Sequence, residues 1–73
     1  MATQPQINSI TLNGDPRALA PGTTVAALVE QLKMRPARIA VELNREVVPK
    51  ASYATTILRD GDQVEIINFV GGG

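Results

Sequence analysis

Only one stretch of this chain repeats with helical period. Val25, Leu28, Val29 and Leu32 fall at i, i+3, i+4 and i+7, an apolar stripe that can cover one face of a sheet and no more. Thr24 is the expected N-cap, its hydroxyl accepting from a first-turn N–H, although Ala27 stands where the acidic residue of a full capping box belongs. The helix is predicted to run for about ten residues. Lys33 lies near the negative end of its dipole, and Pro36 disfavours helical geometry at Arg35.

The remaining apolar runs are short and mostly alternate, bounded by turn residues. Ile7 to Leu12 leads into Asn13-Gly14, a dipeptide suited to the positive φ angles of a tight hairpin turn. A return strand at about Arg17 to Ala20 is stopped by Pro21-Gly22. After the helix, Ile39, Val41 and Leu43 alternate with Ala40, Glu42 and Asn44, and Glu46-Val47-Val48 forms a return strand stopped by Pro49. Arg45 occupies a place where a type I′ turn prefers glycine, so either the turn is of another type or Arg45 carries strain. Lys50 to Leu58 has no clean period and reads as a crossover with one helical turn, anchored by Ile57 and Leu58. Asp60-Gly61-Asp62 is a turn. The last strand, Val64 to Val70, places Val64, Ile66 and Val70 on one face and Ile67 and Phe69 on the other, as a central strand does.

Two strands, one helix and two or three further strands, with a single helix to cover the sheet, have few compact solutions. The predicted fold class is α+β: a β-grasp, with a mixed four- to five-stranded sheet and one main helix on one face. In that arrangement the first and last strands lie side by side and parallel in the middle, and the C-terminus is expected at an edge of the sheet. The chain is read as one domain over residues 1–73, with a frayed arm over 1–6 and a flexible tail over 71–73.

Composition narrows the chemistry. At 73 residues without cysteine, the fold has no disulfide to staple it and no thiol or imidazole site for a structural metal, so regular structure must supply the stability. The absence of His and Cys also removes the commonest general base, the thiolate nucleophile and the usual zinc ligands. A self-sufficient enzyme is not expected. Seven basic and seven acidic residues cancel, and Tyr53 and Phe69 are the only aromatic side chains, which leaves neither the charge nor the stacking platform of a nucleic-acid binder. No apolar run approaches the ~20 residues of a membrane span, and no targeting segment is evident. A cytoplasmic location is the default.

Half of the six glycines are the last three residues, Gly71, Gly72 and Gly73. Such a tail is either a flexible end or a device. Lacking Cβ atoms, it can extend through a narrow cleft of a partner and bring an ionised α-carboxylate to a remote active site. Ile67 and Phe69 fall on the strand face that the helix leaves uncovered, beside the tail, and form a candidate partner-docking surface. Other candidates are weaker. Asp60-Gly61-Asp62 lacks the further ligands of a calcium loop, Ser9 and Ser52 have no His to activate them, and Arg35, Arg38, Arg45, Lys50 and Arg59 are scattered as solubilising charges.

Leu12-Asn13-Gly14, Gly22-Thr23-Thr24-Val25, Ala40-Val41-Glu42-Leu43-Asn44, Val47-Val48-Pro49, Asp60-Gly61-Asp62 with Val64-Glu65-Ile66, and the terminal Gly-Gly together resemble the ThiS family of thiamine-biosynthesis sulfur carriers. The similarity runs from about Ile10 to Gly73. Departures are Arg45 where that family often has glycine, a longer N-terminal arm and a third glycine. The resemblance implies that Gly73 is adenylated by a ThiF-like enzyme of the ubiquitin-activating type, which uses ATP and Mg²⁺, and is then converted to a thiocarboxylate. Sulfur would come from cysteine through a desulfurase and pass to a ThiG-like thiazole synthase. Gly72 and Gly71 would thread the partners' channels, and the chain itself would bind no cofactor or metal. Two other readings stay open at this point: a carrier of another pathway, like the small subunit of molybdopterin synthase, and a β-grasp interaction module that is not a carrier.

Overall fold

The computed structural model describes residues 6–69. These form a five-stranded sheet of order β2-β1-β5-β3-β4, with β1 at Asn8–Leu12, β2 at Asp15–Leu19, β3 at Ile39–Leu43, β4 at Glu46–Val48 and β5 at Gln63–Asn68. One helix, α1 at Val25–Gln31, accompanies short 3₁₀ turns at Pro36–Arg38 and Lys50–Ser52. β1 and β5 run parallel, and β5 pairs antiparallel with β3 on its other flank. This is the predicted β-grasp. β5 is the central strand and lies beside β1, as expected. Among the described residues, no helix is long and apolar enough to cross a membrane.

The core lies between α1 and the face of the sheet carrying Ile10, Leu19, Ile39, Val41, Val48, Val64 and Ile66. Val25, Leu28 and Val29 are buried against it, and Leu32 packs at its border. Tyr53 and Leu58 complete it from the crossover. Ile57, expected as a second anchor, is half-exposed, and its contribution is an isolated backbone bridge to Thr24.

The crossover has a purpose that its sequence does not advertise. The first N–H groups of a helix lack intrahelical partners, and here Val25 donates to the Thr56 carbonyl at 2.9 Å and Ala26 to the Tyr53 carbonyl at 2.9 Å. Ala27 N–H donates to Thr24 Oγ1 at 3.1 Å, as the N-cap reading predicted. At the other end the helix is shorter than expected. Lys33 takes φ 58°, its N–H donates to the Glu30 carbonyl, and Met34 N–H donates to the Val29 carbonyl. That bond pair is a Schellman motif, and it closes α1 before Pro36 can act.

β3 and β4 begin and end as predicted. β1 starts one residue late, at Asn8, and β2 starts two residues early, at Asp15. Asn44 and Arg45 both adopt positive φ, 51° and 72°, so the β3–β4 turn is of the tight type and Arg45 carries the strain that its side chain implied. Of the expectations for the ends, the arm (apart from Gln6), the face assigned to Val70 and the tail at 71–73 lie outside the described residues.

Candidate functional site

β5 positions everything that bears on the tail. Its alternation puts Val64 and Ile66 into the core and Glu65 and Ile67 on the open face, with Phe69 continuing that face just beyond the strand. Ile67 is 49% and Phe69 56% exposed, in keeping with the candidate docking surface, and Val47 on β4 is 70% exposed. Register joins these residues across the sheet. Ile67 lies opposite Ala40, Glu65 opposite Glu42, and Glu42 opposite Val47. A shallow groove of about 270 Å³ opens beside Phe69, bounded by Ala40, Val47, Pro49 and Lys50.

The root of the tail is held by main-chain bonds. Asn68 pairs with Ile39, and Phe69 N–H donates to the Arg38 carbonyl at 2.7 Å. Two asparagines fix β5 further back. Asn13 Oδ1 accepts from Ile66 N–H at 2.8 Å while its Nδ2 donates to the Ile66 carbonyl at 3.3 Å. The β1–β5 ladder ends at Leu12, so this carboxamide stands in for the missing strand residue. On the opposite flank Asn44 Oδ1 accepts from Gln63 N–H at 2.9 Å, and its Nδ2 donates to Asp62 Oδ1 at 3.1 Å. Sequence reasoning took both asparagines as turn residues and missed this second task.

The weaker candidates resolve as structural. Asp60 Oδ1 accepts from Ser9 N–H at 2.7 Å and Asp62 Oδ2 from Arg59 N–H at 2.8 Å, so both carboxylates of that turn tie backbone together. Among the described residues no group of three or more His, Cys, Asp or Glu side chains is placed to hold a metal ion. Gly71, Gly72 and Gly73 lie outside the described residues. What the described part offers is a central strand whose last residues are held by main-chain pairing to β3 and Arg38 as far as Phe69, two positions before the glycine run in sequence.

Comparison with known proteins decides the family. The model of the ThiS family matches residues 10–73. The chain belongs to the ThiS family. Over 64 residues it is 38% identical to the sulfur carrier protein ThiS of Escherichia coli K12, covering 88% of this chain and 97% of that protein. A crystal structure of a thiamine biosynthesis protein (ThiS) from Geobacter metallireducens superposes with a TM-score of 0.76 at 37% identity, covering 89% of this chain and 99% of that one. A thiazole synthase of Paramagnetospirillum magneticum is 44% identical over 64 residues. There the match covers 88% of this chain and 20% of the relative, so the chain spans about a fifth of that protein's length.

Proposed function

We propose that this ThiS-family chain is a sulfur carrier for thiazole formation in thiamine biosynthesis, with the α-carboxylate of Gly73 as its reactive group. The observation that carries this reading is the family match running through residue 73 on a body whose central strand leads directly into the glycine run. Residues 70–73 reach at most about 14 Å when extended, which sets how close a partner's catalytic centre must come to Phe69. Gly72 and Gly71 supply the slim part of that reach, since a segment without Cβ atoms fits a channel that excludes other residues.

The chemistry needs nothing from this chain beyond the carboxylate. A carboxylate is a poor electrophile. A ThiF-like enzyme with ATP and Mg²⁺ joins its oxygen to the α-phosphorus and releases pyrophosphate, and the metal and the enzyme's cations stabilise the charge that develops. A persulfide made from cysteine by a desulfurase then adds its terminal sulfur at the acyl carbon and AMP leaves, which gives an acyl disulfide; a thiol attacks the other sulfur of that bond, so that a new disulfide forms and the thiocarboxylate is released. A thiazole synthase receives the sulfur. That a relative named thiazole synthase contains a segment 44% identical to this chain supports this partnership. On this reading the protein is a co-substrate and not a catalyst, binds neither ATP nor metal itself, and works in the cytoplasm, where ATP is available. Ile67 and Phe69 form the docking surface from which the tail departs.

Incubation with the ThiF-like enzyme, ATP, Mg²⁺ and a sulfur donor should add the mass of an oxygen-to-sulfur exchange at the C-terminus, read by intact-mass spectrometry. Deleting Gly72-Gly73 should leave the melting temperature nearly unchanged and abolish the mass gain. A large loss of stability on deletion would mean that the tail is structural. An unmodified full-length chain would overturn the carrier reading.

A further inference from the structure

Glu42 and Glu65 stand directly opposite each other on β3 and β5, on the face that α1 leaves open. Like charges in register across a sheet are destabilising, and no cation or hydrogen-bond donor of the described residues reaches either carboxylate. Among the outward-facing strand positions these two are the only charged side chains. Of the chain's seven basic residues, Lys50 borders the groove beside Ala40 and Val47, and none occupies an outward-facing strand position. Flanking the pair are Val47, opposite Glu42, and Ile67 and Ala40, one pair along the sheet toward the tail. An acidic pair bordered by apolar side chains toward β4 and the tail, and by Gln63 and Thr11 on the other side, is a surface suited to a complement that is itself both charged and apolar.

We infer that the open face selects a partner protein whose contact surface presents an arginine set among apolar side chains, the guanidinium seated between Glu42 and Glu65 and the apolar groups lying against Val47 and Ile67. The planar, many-donor guanidinium can bridge two carboxylates at once, which the point charge of lysine does less well. Other occupants fit poorly. Two carboxylates among alanine, valine and isoleucine are too few oxygens for a hard cation. Nucleic acid and anionic lipid are repelled by the same charges. A second copy docked through this face would bring two acidic pairs together and add to the repulsion. The inference rests on the carrier reading in taking thiazole synthase as the partner to be probed.

The test is titration of the full-length chain with the thiazole synthase of the same organism at two salt concentrations, beside melting curves. The isosteric double variant E42Q/E65Q should bind at least about tenfold more weakly, with a smaller salt dependence, while its melting temperature stays level or rises. Glu30→Gln, an exposed charge on α1 away from this face, should bind as the wild type does. Wild-type affinity and salt dependence in E42Q/E65Q, or equal weakening by Glu30→Gln, would overturn the inference. If the wild-type chain forms its thiocarboxylate and yet does not bind the synthase, the carrier reading stands and both the choice of partner and this inference fall. If no thiocarboxylate forms but E42Q/E65Q still loses synthase binding, the face is confirmed and the carrier chemistry is what fails.

Discussion

Asn13 and Asn44 each end a strand and then continue its hydrogen bonding with a side chain. Both sit at positive φ, 50° and 51°, a conformation that asparagine tolerates better than most residues. Each carboxamide then reaches β5 from its own flank. Asn13→Gly preserves the turn geometry and removes both bonds to Ile66, leaving a partly buried N–H and C=O without partners. The expected cost is about 1–3 kcal/mol, measured as a lower urea midpoint with an unchanged slope. The turn itself is legible in the Asn13-Gly14 dipeptide. The reach to Ile66 is not, because the two residues are 53 positions apart and nothing local distinguishes a bonded carboxamide from a solvated one. The acidic pair is similar: alternation alone puts Glu42 and Glu65 on outward positions, but only the register of β3 against β5 sets them face to face.

At the scale of elements, two ends are closed by cations where glycine is usual. Lys33 terminates α1 at φ 58° and Arg45 completes the β3–β4 turn at φ 72°. A left-handed conformation costs a residue with a Cβ about 1–2 kcal/mol, offset in part by the greater freedom glycine gains when unfolded. Lys33→Gly and Arg45→Gly should therefore each stabilise by about 0.5–1 kcal/mol, and additively, since the two sites share no partner. Thermal melts of both single variants and the double variant check this. Arg45 was legible as an oddity because its neighbours already spelled a hairpin. Lys33 was not, since a cation near a helix C-terminus also has an ordinary electrostatic explanation. The crossover was the least legible element. Its value lies in the carbonyls of Tyr53 and Thr56, which every residue type possesses, so no side-chain pattern could announce that they complete the start of α1.

For the whole molecule the margin is thin. Domains are stable by roughly 0.05–0.15 kcal/mol per residue, which for a chain this short is about 4–11 kcal/mol. Leu28 of α1 is fully buried in the core, and Leu28→Ala should cost about 2–5 kcal/mol. A variant at the upper end of that range would be partly unfolded at 37 °C, visible as lost near-ultraviolet dichroism and loss of slowly exchanging amides in β5. The sheet order adds a temporal constraint. β1–β2 and β3–β4 are hairpins that can close locally, yet they touch in the sheet only through β5, the last strand to leave the ribosome. Until it is made, two ribbons with bare edges wait for a shared rung, and such edges invite pairing with other chains. A chain that stops short of Gln63 lacks the strand that joins the two hairpins and cannot complete the sheet. Closure of the sheet therefore waits on β5, whichever of the two hairpins forms first.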